Sequence, residues 1–185
     1  MTLVALEGLD GVGKTTIADL LSVRLDAHLV RLPPSALELK ESQLFADFRS
    51  LDRMLYYAAG AAHIARTHGK SLVVTDRYLP SVHALHVDVP REERRIVGSL
   101  PIPEADLTVC LRVDEAERVG RLAARGQELD PFEVVLGADA DFRRRVWEVL
   151  AEWPGIHMVE TSRRTLGEVV DELVDLVSEL KTSQY

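Results

Sequence analysis

Residues 8–15 read G-L-D-G-V-G-K-T, a full match to the phosphate-binding pattern G-x-x-x-x-G-K-[ST]. Each position in that pattern has a physical task. Gly8, Gly11 and Gly13 let backbone N–H groups, Val12 among them, turn inward around an anion that side chains would obstruct. Lys14 can reach the β- and γ-phosphates of a nucleotide, and the hydroxyl of Thr15 can hold Mg2+. The setting agrees with the spacing. Leu3-Val4-Ala5-Leu6 precedes the loop as an apolar strand, and Thr16-Ile17-Ala18-Asp19-Leu20-Leu21 follows it with apolar residues at helical spacing. The start of that helix adds a dipole that favours negative charge.

Other chemistry-bearing groups lie where apolar runs end. Leu72–Thr75 runs into Asp76-Arg77-Tyr78, where an acid can bind Mg2+ or orient an attacking oxygen and Arg77 can fork two phosphate oxygens. Arg118, Arg121 and Arg125 share one helix face, directed at a triphosphate or an adenine. Tyr56 and Tyr57 offer flat surfaces to an acceptor base, beside a run of small residues at 58–62. His63, His68 and His83 lack metal spacing, and His86 alone among the histidines suits the wall of an acceptor pocket. Cys110 lies in an apolar run and reads as a buried structural thiol.

The elements that must position these groups alternate in type. Strands are predicted at 3–6, 28–32, 72–75, 107–113 and 156–159. Helices are predicted at 15–26, 43–67, 79–87, 92–98, 115–124, 139–151 and 166–180. That order implies a parallel sheet with helices on both faces, within one domain spanning 1–185. Ligands of such folds sit beyond the carboxyl ends of the strands. The polar segment 126–141 fits a mobile lid that excludes water, and it carries no Lys or Arg of its own. A net charge of −8 speaks against nucleic acid as a partner but permits a local basic pocket. No apolar stretch reaches the length of a membrane span, and the expectation is a cytoplasmic enzyme.

Taken in order, these motifs resemble the thymidylate kinase family of P-loop nucleoside monophosphate kinases. E-G-L-D-G-V-G-K-T-T at 7–16 is close to that family's loop, including Asp10. D-R-Y at 76–78 followed by Ser81 looks like its second signature, and A-D-L-T-V-C-L-R-V-D at 105–114 is similar to a third. Arg121 with Arg125-Gly126 resembles the segment that opens its lid. The resemblance implies an α/β P-loop NTPase three-layer sandwich around a five-stranded parallel sheet, with ATP and Mg2+ as donor system. By position, Lys14, Thr15 and Thr16 would hold ATP, and Thr15 with Asp76 would hold Mg2+. Asp10 would contact the acceptor sugar, Arg77 and Arg31 its phosphate, and Tyr56 its base. Arg121 or Arg125 would supply a lid cation, and Thr161 and Ser162 would lie beside the adenine. The family's dimers imply a homodimer through the helix at 43–67.

The chain also departs from that family. Gly60 stands where the family has an arginine reading the thymine carbonyl, and Leu85-His86 where it often has Tyr-Gln. The acceptor therefore stays open between thymidylate or a related nucleotide and, in a second reading, a nucleoside or other small hydroxyl compound. A third reading is a nucleotide-binding regulatory protein with little transferase activity.

Overall fold

Strands of β-branched and leucine residues, apolar on both faces, can be buried only if helices cover both sides. In the computed structural model they are. It describes residues 1–67, 71–126 and 131–182, with backbone alone at 41, 42 and 181. Strands β1 (Thr2–Glu7), β2 (His28–Arg31), β3 (Leu72–Asp76), β4 (Leu107–Arg112) and β5 (Ile156–Glu160) form one parallel sheet in the order β2-β3-β1-β4-β5. The central strand β1 pairs with β3 from Thr2↔Leu72 to Leu6↔Asp76 and with β4 from Val4↔Leu107 to Glu7↔Cys110. All five predicted strands are present, with ends within two residues of expectation.

Alternation along the strands divides the core. Val4, Leu6, Val74 and Val109 pack against Ile17 and Leu21 of α1 (Lys14–Leu25) and Val169, Val170 and Leu173 of α9 (Leu166–Thr182). Leu3, Ala5 and Val73 point the other way, onto Ala61 and Ile64 of α3 (Ser50–Thr67). A third cluster lies beyond the sheet's carboxyl edge, where Met54 and Tyr57 of α3 meet Val82 of α4 (Leu79–Ala84) and Val97 of α5 (Arg91–Gly98). Each Val, Leu, Ile or Met among them contributes about 1.5–3 kcal/mol when fully buried, so the sheet is a rigid base for the loops at its carboxyl end.

Two expected elements take a different form. The helix predicted over 43–67 is broken into α2 (Glu41–Asp47) and α3 by Phe48, whose backbone is extended at φ −110°, ψ 135°. Asp52 accepts from the Arg49 N–H at 3.1 Å and so starts a new helix. The polar segment expected at 126–141 contains helix α7 (Pro131–Ala138), in which Phe132 and Leu136, one turn apart, are buried. Proline suits the first turn of a helix, and the i, i+4 apolar pair gives that turn a core-facing side. Residues 127–130 of the expected lid lie outside those described. Helices α6 (Glu115–Ala124) and α8 (Ala140–Ala151) follow the predicted bounds closely.

Glu7 fastens β1 to the turn after β3. It is fully buried, and its carboxylate accepts from the Tyr78 N–H at 2.8 Å and from the Ser81 hydroxyl. Burial pushes its carboxyl up to about 7, against the pull of Ser81 and Arg77. The folded chain therefore keeps a proton that the unfolded chain loses above pH 4.5, and stability falls as pH rises from there through 7. Glu7→Gln mimics the protonated acid. Urea denaturation between pH 5 and 8 is expected to show wild type losing stability relative to Glu7→Gln as pH rises. Parallel profiles would contradict the assignment.

Candidate active site

The phosphate-binding loop is wrapped too tightly to accept a side chain at Gly8 or Gly11. A Cβ at Gly8, where φ is +133°, would lie 2.5 Å from the Leu111 carbonyl oxygen. One at Gly11, at φ +88°, would press on Leu122 and Arg118. The loop feeds straight into α1, so the Lys14 ammonium folds back inside it. Nζ donates to the Leu9 carbonyl at 2.9 Å and to Asp10 Oδ1 at 3.4 Å, and the side chain is 5% exposed. Burial lowers the affinity of Lys14 for its proton, and the carboxylates of Asp10 and Asp76 work the other way.

The end of β3 meets the loop from its other side. Arg77 adopts φ +72°, a left-handed backbone that costs a non-glycine residue on the order of 1–3 kcal/mol. Its N–H donates to the Leu6 carbonyl at 3.0 Å, and its own carbonyl accepts from the Thr75 hydroxyl at 2.9 Å. That twist throws the guanidinium across to β1. There it forms an ion pair with Asp10 and donates to Ser81 Oγ at 3.1 Å and the Gly8 carbonyl at 3.3 Å. Burial opposes the charge on Arg77, but Asp10, Asp76 and Glu7 hold its proton affinity above the ordinary arginine value. Burial likewise pushes the Asp10 carboxyl up, and the cations Arg77 and Lys14 outweigh it, holding it at about 2.

Asp76 and Thr15 form the third part. Thr15 Oγ1 donates to Asp76 Oδ2 at 2.7 Å, whereas Asp76 Oδ1 is buried with no hydrogen-bond partner. A buried carboxylate oxygen without a donor beside a threonine hydroxyl is a hard oxygen pair, which suits Mg2+. Among the described residues no three His, Cys, Asp or Glu side chains gather as a metal cage. Magnesium sites of the kind completed by substrate phosphates and water need no such cage.

Two openings flank this cluster. A groove of about 480 Å3 runs along Gly11, Gly13, Lys14, Thr15 and Thr16 toward Arg121 and Arg125. A smaller cavity of about 80 Å3 lies between Leu32, Tyr57, Leu85, His86 and Phe132. Asp10 and Arg77 line both. A group held in the groove and a group held in the cavity would therefore meet at these two side chains.

The arginines of α6 brace the loop from behind. Arg118, 4% exposed, donates to the Asp10 carbonyl at 2.9 Å. Arg121 donates to the Val12 carbonyl at 3.1 Å and to the Thr161 carbonyl at 3.3 Å. It thus ties the loop to the segment after β5. Arg125 lines the groove while it pairs with Glu133 of α7 at 2.5 Å.

Several expected residues stand elsewhere. Arg31 is exposed and pairs with Asp19 at 2.8 Å, away from the cavity. Tyr56 is half-buried beside Tyr57, its hydroxyl donating to the Leu37 carbonyl at 2.7 Å and accepting from the Leu39 N–H at 3.0 Å, and of the two only Tyr57 lines the cavity. Gly60 is buried under the Leu32-Pro33-Pro34 turn, where a Cβ would come within 2.9 Å of Leu32 and 3.1 Å of Pro34. It packs that turn rather than lining the cavity. Ser162 donates to Glu160 at 2.6 Å and accepts from the Asp114 N–H at 2.7 Å, and neither it nor Thr161 lines the groove. Arg164, just before α9, and Leu166, its first residue, do, and sequence reasoning missed them along with Phe132. Of the run at 58–62, Ala58, Gly60 and Ala61 turn into the chain's own core, while Ala59 faces outward. His63 is half-buried, and His68 lies outside the described residues.

The chain's likenesses accord with this arrangement. The family model for thymidylate kinase matches residues 6–173. A probable thymidylate kinase of Pyrobaculum calidifontis is 32% identical over 196 residues, covering 97% of each chain. The human mitochondrial UMP-CMP kinase 2 is 32% identical over 184 residues, covering 86% of this chain and 39% of that one. In fold, the chain is similar to the thymidylate kinase of Candida albicans, with a TM-score of 0.74 at 19% identity over 97% of this chain and 92% of that one. It is also similar to the deoxyadenosine kinase of M. mycoides, with a TM-score of 0.70 at 14% identity over 96% and 100%. With its loop, its D-R-Y turn and its sheet in place, the chain belongs to the thymidylate kinase family and is a nucleotide kinase, a phosphotransferase of the P-loop nucleoside monophosphate kinase fold.

Proposed function

We propose that the chain moves the γ-phosphoryl group of ATP to the phosphate of a nucleoside monophosphate, dTMP or a related pyrimidine nucleotide. One observation supports this reading above the rest: the phosphate groove and the aromatic-walled cavity share Asp10 and Arg77. The loop N–H groups, Lys14 and Thr16 bind the donor's phosphates in the groove, with its adenosine toward Arg121, Arg164 and Leu166. Thr161 and Ser162 act on that end through Arg121 and the segment after β5. Arg77, with Ser81 fixing its fork, holds the acceptor phosphate in line with the donor. Asp10 keeps Arg77 and Lys14 charged and aimed at the junction. Arg121 and Arg125 neutralise charge on the transferring group from the lid side. Thr15 and Asp76 hold Mg2+, which when bound shields the charge between donor phosphates. Little covalent chemistry is asked of the protein.

The whole of 1–185 acts as one domain in this reading, and 126–141 closes over the groove through α7. The chain pairs as a homodimer through α3, whose outward stripe includes Leu55 and Ala59. Light scattering is expected to give twice the chain mass; a monomer at tens of micromolar protein would contradict it. Among the described residues no helix is long and apolar enough to cross a membrane.

An ADP-release assay with nucleoside monophosphates, nucleosides and other small alcohols tests the reaction. Turnover is expected with pyrimidine monophosphates. Turnover with nucleosides alone, or with no acceptor, would contradict the reading. Lys14→Ala is expected to lower kcat by more than about a hundredfold, the scale of losing a directly charge-stabilising donor. Asp76→Asn is expected to raise the Mg2+ concentration at half-maximal rate while ATP binding without metal is unchanged. An unaltered Mg2+ dependence would remove Asp76 from the metal site.

A further inference from the structure

His86 lies in the wall of the acceptor cavity and is 1% exposed. Its Nδ1 sits 2.8 Å from the Val82 carbonyl oxygen, which can only accept, so Nδ1 carries the hydrogen. A neutral imidazole then has a bare lone pair on Nε2. That atom is buried and has no hydrogen-bond partner. Burial holds the ring's pKa down to about 4, with Arg53 and His83 adding to the effect and the Val82 carbonyl and Asp88 opposing it. The ring is therefore neutral across the physiological range. An unsatisfied acceptor inside a cavity whose neighbours are Leu32, Tyr57, Val82, Leu85 and Phe132 is costly unless a ligand supplies a donor.

The shape of the cavity says which ligand group arrives there. At about 80 Å3 it is smaller than the ~150 Å3 that admits benzene in an engineered protein core. Phe132 of α7 forms one wall and limits its size. Its ring packs edge-on against His86 with centroids 5.7 Å apart, and Tyr57 is tilted against His86 at 5.9 Å. Between these rings Nε2 is shut off from water. Moving one phenyl ring aside makes room for one six-membered ring, beside Tyr57 and with Arg77 at its phosphate end.

We infer that a pyrimidine base enters where Phe132 now lies and donates a ring or exocyclic N–H to Nε2 of His86, which makes His86 the residue that reads the base. This rests on the reading of the cavity as the acceptor site. It supplies the base-edge contact that Gly60, packed under the proline turn, does not make. The shared chemistry is an N–H donor on a pyrimidine. Uracil and thymine carry it at N3, and cytosine at its 4-amino group.

The test deletes the donor on the substrate and the acceptor on the protein. Steady-state kinetics would be measured with dUMP and its N3-methyl analogue, and with dCMP and its N4,N4-dimethyl analogue. For the base that is read, methylation is expected to raise KM about tenfold or more in wild type with little change in kcat. In His86→Leu the parent's KM rises to that of the analogue, and methylation costs nothing further. His86→Gln, which keeps an acceptor, retains the discrimination. His86→Phe, which preserves ring volume, replaces His86→Leu if that variant fails to fold by thermal melting. Equal KM for parent and analogue in wild type on both arms overturns the inference, as does a methylation penalty that survives in both apolar variants. Turnover of no nucleoside monophosphate overturns the phosphotransfer reading itself, and this inference with it.

Discussion

The ion pair between Asp10 and Arg77 is the contact on which the rest of the site depends. Two buried charges cost several kcal/mol each in lost hydration, and a lone pair rarely recovers that. Here the pair is one part of a largely buried group in which Lys14 and Arg77 face Asp10, Asp76 and Glu7. Several structural features serve this one arrangement. Gly8 lets the loop approach β4, the left-handed backbone of Arg77 carries its guanidinium across from β3, and Glu7 fixes the turn that follows. The cluster places the cations Lys14 and Arg77 beside the openings. The cations are already in place before a nucleotide arrives.

Topology turns that cluster into a meeting point. β1 lies between β3 and β4, so the loop after β1 faces the turn after β3 on one side and α6 on the other. The groove belongs to α1, α6 and the start of α9, and the cavity to α3, α4 and α7. α7 touches both: Glu133 pairs with Arg125 at the groove, and Phe132, one residue earlier, lines the cavity. A shift of α7 that clears the cavity would also act on a groove arginine.

Much of the fold was legible because it is encoded locally. The five strands are short apolar runs, and the loop is a fixed spacing of glycines and a lysine between a strand and a helix. Contacts that cross the chain were less so. That Arg77 meets Asp10 depends on β1 and β3 being neighbours, 67 residues apart in sequence. Tyr56 and Tyr57 are about 100° apart around one helix, and their order along the chain does not say which faces inward. The Leu37–Leu39 segment decides it by engaging the Tyr56 hydroxyl. The resemblance put a base-reading position at Gly60, but Gly60 packs under the Leu32-Pro33-Pro34 turn, where a Cβ would press on Leu32 and Pro34. α7 had readable signals in Pro131, Phe132 and Leu136, masked by the acidic and glycine-containing stretch around them.

The junction at Asp10 and Arg77 can be tested directly by a crystal structure with a bisubstrate analogue, adenosine joined to a pyrimidine nucleoside through five phosphates. The adenosine is expected beside Arg121 and Arg164, the pyrimidine between Tyr57 and His86, and the phosphate chain across Arg77. A pyrimidine bound outside the cavity, or a phosphate chain that bypasses Arg77, would contradict the claim that groove and cavity hand a phosphoryl group between them.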